Sequence, residues 1–330
     1  MGIKLAIVGA TGVVGREFLT VLEERKVEID TLVLFASKKS AGQKIPFNGQ
    51  MHVVLELSEA NILSHKTDYA LFSAGGNIAL AFAPIFAREN TIVIDNSSAF
   101  RMDEGIPLVV PEVNGADAFK HNYIIANPNC STVQAVLVLK PLHDLYRLKR
   151  VVVSTYQAVS GAGVQGLYDL ENQLETGKTT KFPYQIYNNV IPHIDVFLDN
   201  GNTKEEEKII LEMRKILHIP NLRVSSTAVR VPVMNCHSES INIEFEKAID
   251  IETIKNDLSH AQGVVLYDDP SQLAYPMPIL VTEKDDVYVG RIRRDDSLEH
   301  GINCFVVGDN LRKGAATNAV QILELLIKGQ

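Results

Sequence analysis

The sequence predicts an α/β chain in two parts: a first domain around a parallel sheet, then an α+β domain with a mixed sheet. Three observations lead there. Its 330 residues are about the length of two domains. Up to about residue 130, short apolar runs alternate with helical patterns, as in βαβ units. Beyond that point several long strand patterns follow one another, which points to antiparallel or mixed pairing. Apolar residues at 46% and charged residues at 22% are enough to build two cores.

The elements read in order. "IKLAIVG" is a short apolar run, as a central parallel strand requires. "GVVGREFLTVLEER" follows with Val14, Phe18 and Val21/Leu22 at helical spacing. "TLVLFAS", "YALFSAG" and "TIVIDNS" are strands, with "AFAPIFAREN" helical between the last two. The stretch 43–65 is harder to read; its "MHVVLEL" is a strand. Then come a helix in "VQAVLVLKPL", a strand in "RVVVSTYQAV" and a helix in "QGLYDLENQLE". "GKTTKFPYQIYNNVIPHIDVF" is irregular, and "TKEEEKIILEMRKIL" is an amphipathic helix opened by Thr203. "RVSSTAVRVPV", "HSESINIEFE", "DVYVGRIRRD" and "GINCFVVGDN" are strands. The closing "KGAATNAVQILELLIK" is an apolar helix that needs a surface to dock on, and the first domain offers one. The expected domains are therefore 1–129 with 311–330, and 130–310.

A net charge of −8 supplies no basic field for nucleic acid or an anionic membrane. No apolar run is long enough to span a bilayer. "MGIKLAIVGATG" is a strand entering a turn and not a signal peptide, and its Met-Gly start is discounted as a lipidation signal. Cys130, Cys236 and Cys304 form no disulfide framework and no zinc pattern, so reduced thiols, a cytoplasmic location and no metal are expected.

Between the first strand and first helix, "VGATGVVG" sets Gly9, Gly12 and Gly15 at a G-x-x-G-x-x-G spacing. Glycines let the chain turn sharply, and a helix N-terminus offers N–H groups and a positive dipole end to a pyrophosphate. Gly9, Thr11, Gly12, Val13 and Val14 are the candidate contacts of a Rossmann-like dinucleotide site. An NAD site places an acid at the end of the second strand for the ribose hydroxyls. Here Ser37, Lys38, Lys39 and Ser40 stand instead, with cations and hydroxyls and no carboxylate. That favours the 2′-phosphate of NADP (NADPH); the alternative is a solvated basic loop.

Cys130 follows Asn127-Pro128-Asn129 and opens a helical run. In a first helical turn the dipole favours the thiolate of a group that otherwise titrates at about 8.5. Packing, the role the context of Cys304 suggests, remains the alternative from local sequence. A nicotinamide beside a thiolate suits aldehyde chemistry. The thiol adds to the carbonyl, hydride leaves, and an acceptor cleaves the thioester.

"GATGVVG", "NPNCST", "STYQAVSGAG", "RVPV" before "HSES", and "DNLRKGAA" occur in the order and spacing of one family. The chain resembles the aspartate-β-semialdehyde dehydrogenases, over nearly its whole length. The resemblance implies Cys130 as nucleophile, His237 as acid/base and Gln157 as the residue that orients substrate. It implies Arg230 as carboxylate-binding arginine, Arg101 and Asn129 as phosphate contacts, and Glu205 and Lys208 for the ammonium and phosphate. Without it, Glu205 and Lys208 read as a solvated ion pair. Ser73, Ala74, Gly75, Ser160, Gly161 and Asn310 become further cofactor contacts, with flexible Gly161 and Gly163 letting backbone approach the nicotinamide. The family often has arginine where Lys39 stands, so discrimination of the 2′-phosphate is softer. Cys236, beside His237, is expected to pack and not to react.

The implied activity is NADP-dependent reduction of L-aspartyl 4-phosphate to L-aspartate 4-semialdehyde in lysine, threonine and methionine biosynthesis. A homodimer through the strand-rich second domain is also implied. The alternatives are another acyl-phosphate reductase, such as N-acetylglutamyl-phosphate reductase, a non-catalytic NADP sensor, and a cofactor-free cysteine hydrolase.

Overall fold

A computed structural model describes residues 2–329. The chain divides into two compact units, one from residues up to Pro128 and from Ala315 onward, the other Asn129–Gly314. The second crossing falls at 314/315 and not at 310/311. Gly314 belongs with the second unit, where its backbone packs against Cys130.

The first unit runs β1 (Ile3–Val8), α1 (Val13–Glu24), β2 (Ile29–Ala36), β3 (Lys44–Phe47), β4 (Gln50–Glu56), α2 (Glu59–Ser64), β5 (Tyr69–Phe72), α3 (Gly76–Arg88), β6 (Ile92–Asp95), α4 (Pro111–Asn114) and β7 (Ile124–Ala126). Its sheet has the order β3-β4-β2-β1-β5-β6-β7. All pairs are parallel except β3–β4. The β1 run is apolar on both faces because both are covered. Leu5 and Ile7 join Phe18 and Leu22 of α1, whereas Ala6 and Val8 join Ala79, Ala83 and Phe86 of α3. The chain leaves β1 for β2 on one side and reaches β5 on the other, so β1 marks the switch point where open α/β sheets bind ligands.

β3 departs from the expected all-parallel sheet. Asn48 and Gly49 both have positive φ, 47° and 73°, and the sequence "NG" builds a two-residue hairpin between β3 and β4. Pro46 is tolerated because β3 is an edge strand.

The second unit runs α5 (Cys130–Tyr146), β8 (Leu148–Gln157), α6 (Val164–Thr176), α7 (Lys204–Ile216), β9 (Arg223–Arg230), β10 (His237–Phe245), α8 (Ile251–Ser259), β11 (Val264–Leu266), α9 (Pro278–Val281), β12 (Val287–Arg294) and β13 (Gly301–Gly308). Its six-stranded sheet, β11-β12-β13-β10-β8-β9, is mixed: β8–β9 and β11–β12 are parallel and the other pairs antiparallel. Helix α8 interrupts what the sequence reads as uninterrupted strands. Asp250 caps it by accepting from Thr253 N, and Ile254 and Leu258 are its buried stripe. Thr203 and Glu206 form a full capping box at the start of α7. Helix α5 is buried from Ser131 through Leu139, on every face, between the sheet and helices α7 and α8.

Pairing register places three candidate residues at one end of the sheet. Gln157 ends β8 directly opposite Arg230, which ends β9. His237 opens β10, whose next residue, Ser238, pairs with Tyr156. The terminal helix α10 (Thr317–Lys328) returns to the first unit, where Ala319, Val320 and Leu323 join the core that contains Leu5, Ile7 and α1. No helix among the described residues is long and apolar enough to cross a membrane.

Gly9 has φ +89°, and a Cβ there would lie 2.3 Å from the Ser73 carbonyl oxygen. Gly9→Ala is expected to cost about 1–3 kcal/mol of unfolding free energy, measured by urea denaturation. An unchanged midpoint would show that the turn relaxes without strain.

Candidate active site

In the first unit the glycine turn is built by close approach. Gly9 N and Ala10 N donate to Phe35 O at the end of β2. A Cβ on Gly15 would sit 2.1 Å from Gly9 O. Helix α1 starts without a side-chain cap and without an acid in its first turn, so its N–H groups suit an anion. Thr11, Gly12, Val13 and Val14 are half-buried around the turn. Ser73, Ala74 and Gly75 follow β5 and lead into the uncapped N-terminus of α3. Ser37 precedes a short 3-10 turn, Lys38–Ser40, just past β2. Lys38 and Lys39 are exposed, and no carboxylate faces them among the described residues. These features fit a dinucleotide. Arg101, in the same unit, is buried, with Nε donating to Asn127 O at 2.9 Å and Nη2 to Asn96 O at 3.0 Å.

In the second unit Cys130 is the first residue of α5, half-buried, with Asn129 as N-cap. Asn129 Oδ1 accepts from Ser131 N at 2.9 Å and Thr132 N at 3.4 Å; a cap of this kind contributes about 1 kcal/mol. Its own N–H donates to Glu212 Oε2 at 2.6 Å. Gly314 faces the thiol residue so closely that a Cβ would lie 2.8 Å from Cys130 Cβ.

Glu205 joins most of the remaining candidates. Its Oε1 accepts from Asn129 Nδ2 at 2.8 Å and Gln157 Nε2 at 3.2 Å, and its Oε2 from Lys208 Nζ at 3.0 Å. Burial pushes its pKa up, but Lys208 and the two amides outweigh that and hold it below the usual carboxylate range. Lys208 also donates to Asp195 Oδ2 at 2.8 Å. Burial pulls its pKa down, but the two carboxylates dominate and raise it. The pair is therefore a bridge from a half-buried lysine to a buried carboxylate and not the solvated ion pair that local sequence suggests.

Arg230 is buried and donates from Nη1 to Ala158 O at 2.6 Å. Burial lowers its pKa, against the opposing charges of Glu205 and Cys130. His237 is fully buried, and its Nδ1 accepts from Ala158 N at 3.0 Å. The neutral ring thus carries its proton on Nε2, which has no partner. Burial, then Arg230, drop its pKa to about 3. The ring presents a donor, and service as a base requires it to leave Ala158 N–H. A Cβ on Gly161 would come within 3.2 Å of Arg230 Nη1 and 3.3 Å of His237 Nε2. This residue is needed for the space it leaves; Gly163 has φ +76° and open space around it. Ser160 and Asn310 bond each other, Nδ2 to Oγ at 2.9 Å, and Asn310 Oδ1 accepts from Cys236 N at 3.0 Å. Cys236 and Cys304 are buried, and desolvation pushes both thiols up to about 12, as suits packing. Among the described residues no cluster of acidic, His and Cys side chains could hold a metal.

Cys130, Asn129, Gln157, Glu205, Lys208, Arg230, His237, Gly161, Ser160 and Asn310 thus lie in one unit, and the glycine turn, the Ser37–Ser40 segment, Ser73–Gly75 and Arg101 in the other. Comparison with known proteins finds two family domains along the chain. The semialdehyde dehydrogenase NAD-binding domain matches residues 4–121, and the semialdehyde dehydrogenase dimerisation domain matches 139–313. The chain belongs to the aspartate-semialdehyde dehydrogenase family. It is 54% identical to the aspartate-semialdehyde dehydrogenase of Aquifex aeolicus, covering 99% of both chains. The structure of aspartate semialdehyde dehydrogenase II of Vibrio cholerae complexed with ASA superposes with a TM-score of 0.95 at 44% identity, over 99% of both chains. The Candida albicans enzyme, solved with NADP, superposes with a TM-score of 0.80 at 26% identity, over 99% of this chain and 98% of that one.

Two residues of this family member have no role in the motif reading, although Glu239 stands inside the quoted "HSES". Glu212 holds Asn129 N, and it lies seven residues beyond Glu205 on the same face of α7. Glu239 lies two residues after His237 on β10, hence on the same face of the sheet. It is fully buried, and neither carboxyl oxygen reaches hydrogen-bond geometry. The Gln134 amide is close enough to lower its pKa slightly, but desolvation dominates and pushes the carboxyl well above its usual range.

These two shifts squeeze stability from both sides. Glu239 keeps its proton in the folded state where the unfolded chain has lost it, so its contribution fades as pH rises from its ordinary value through its raised one. His237 stays neutral where the unfolded chain protonates, so stability falls as pH drops from about 6.5 toward 3. Each window has a slope approaching 1.4 kcal/mol per pH unit. Glu239→Gln is expected to flatten the alkaline limb of a denaturation-versus-pH series and to let the acid limb, which Glu239 offsets above its ordinary value, climb on toward pH 6.5. An unchanged alkaline limb would show that Glu239 is already ionised.

Proposed function

We propose that the chain is an NADP-dependent aspartate-semialdehyde dehydrogenase. It reversibly reduces L-aspartyl 4-phosphate to L-aspartate 4-semialdehyde through a thioester on Cys130. The observation that supports this most is the half-buried thiol at the first turn of α5, next to Asn129, which shares the Glu205 carboxylate with Gln157. The relatives named above act as supporting analogies, for the substrate through the Vibrio complex and for the cofactor through the Candida one.

Cys130 Sγ attacks the acyl phosphate; the C–S bond forms as the C–O bond to phosphate breaks, and phosphate leaves. When bound, NADPH supplies the hydride. The hemithioacetal then loses its C–S bond, releasing the aldehyde and restoring the thiol. His237 Nε2–H, the unpartnered donor, serves the oxygen that carries charge in the tetrahedral states. The acid/base role assigned to it follows when the ring exchanges its Ala158 bond for a proton. Gln157 orients the acyl group. Arg230 takes the carboxylate as a planar fork, and Glu205 the ammonium. Lys208, Arg101 and Asn129 take the phosphate.

The first unit holds NADP through Gly9, Thr11, Gly12, Val13 and Val14 at the pyrophosphate and Ser37, Lys39 and Ser40 at the 2′-phosphate. Ser73, Ala74, Gly75, Ser160, Gly161 and Asn310 are the remaining cofactor contacts. The reading includes a homodimer through the second unit and a place in lysine, threonine and methionine biosynthesis.

Phosphate-dependent reduction of NADP with aspartate semialdehyde is the deciding assay. Cys130→Ser is expected to lose about a thousandfold or more in kcat. Retained turnover would remove the thioester route. A second expectation is a lower KM for NADPH than for NADH, from the cationic Ser37–Ser40 segment. An NADH preference would leave those lysines as solvated surface.

A further inference from the structure

The long irregular stretch between α6 and α7 is tied down by buried polar side chains that the proposed chemistry does not use. Asp169, on α6, is fully buried. Its carboxylate accepts from Thr180 N at 2.9 Å, Lys181 N at 2.8 Å and Phe182 N at 3.2 Å, and from the Thr180 hydroxyl. One turn further along α6, Gln173 Oε1 accepts from Ile186 N at 2.8 Å and Tyr187 N at 3.3 Å. Ile191 then exchanges backbone hydrogen bonds with Arg230 at 2.8 and 2.9 Å. One face of α6 thus folds the segment back along β9.

What this presents is the ring of Phe182. The Arg230 guanidinium carbon lies 5.8 Å from its centroid. The ring is seated from behind by Gly166, where an added Cβ would lie 3.3 Å from Phe182 Cζ. Arg230 is therefore held in two ways. Nη1 is fixed on Ala158 O, and the guanidinium carbon stands over an aromatic ring. No other protein acceptor takes a guanidinium hydrogen bond among the described residues. The remaining N–H groups can serve a planar acceptor lying in the same plane, which is the geometry of a carboxylate.

We infer that Phe182 is a specificity-determining wall of the Arg230 carboxylate site and that Asp169 is the positioning residue that holds it there. The inference rests on the proposed role of Arg230 in binding the substrate carboxylate. Phe182 limits the swing of the guanidinium on the side where the ring stands. Asp169 touches no substrate and acts through the 180–182 backbone.

The test is steady-state kinetics of phosphate-dependent semialdehyde oxidation with Phe182→Leu, Asp169→Asn, the double variant and Arg230→Lys. For Phe182→Leu the KM for aspartate semialdehyde is expected to rise about tenfold, with kcat and the KM values for phosphate and NADP within about twofold, the pattern of lost uniform binding. Asp169→Asn is expected to raise the same KM, and the double variant to be no worse than the worse single one, because both act through one ring. A semialdehyde KM unchanged in Phe182→Leu, or all parameters shifting together, would overturn the inference; multiplied effects in the double variant would remove Asp169 from it. Arg230→Lys separates the two layers. If it raises the semialdehyde KM while Phe182→Leu does not, the wall alone fails. If it leaves that KM unchanged, the carboxylate role of Arg230 fails as well.

Discussion

Everything in the second unit that bears on Cys130 leans on one buried carboxylate. Glu205 is almost sealed from water, and an isolated anion there would be strongly unfavourable. It persists because Asn129, Gln157 and Lys208 all donate to it. Each belongs to a different piece of structure: the cap of α5, the end of β8 and the face of α7. The need to keep one charge solvated by protein thus fixes the mutual geometry of three elements. Asn129 cannot turn away without exposing both the carboxylate and the start of the helix whose first residue is the thiol. Breaking such a set by removing one partner costs far more than the set contributes over an apolar packing.

The sheet supplies the second constraint. Backbone pairing aligns the ends of β8 and β9 and the start of β10, so Gln157, Arg230 and His237 arrive together with no side-chain instruction. Ala158, the residue after β8, then serves two of them, its carbonyl accepting from Arg230 and its N–H donating to His237. Burial already disfavours a charged imidazole here, and the nearby Arg230 cation adds to that, so the ring is held neutral. The first unit follows a simpler logic, in which a glycine turn at the switch of sheet order leaves a helix N-terminus uncapped.

Much of the architecture is legible in the sequence because it rests on period. The apolar runs of β1, β5 and β6 and the stripes of α1 and α7 follow local rules. The thiol at a helix start is also legible, since Asn-Pro-Asn before an apolar run is a cap signal. The hairpin at Asn48-Gly49 and the cap at Asp250 carry signals of the same kind, yet short strands and a nine-residue helix are easily passed over among stronger patterns. The partners of the site are harder. Glu212 sits among other acids on a charged helix, and only folding shows which of them turn inward. Nothing in "GKTTKFPYQ" says that its phenylalanine lies over a distant arginine, because the contact depends on Asp169 ordering a segment with no period of its own. Glu239 is hidden for the opposite reason: an acid on a strand reads as solvent-facing until the covering helix is in place.

The return of α10 to the first unit makes that unit discontinuous along the chain. During synthesis its sheet can assemble early with α1 on this face, but the part of the Leu5, Ile7 and Leu71 cluster that α10 completes stays open while the whole second unit emerges. Domains usually complete in the order in which they leave the ribosome. Here the first to begin is the last to close, and part of its apolar face waits for the end of the chain.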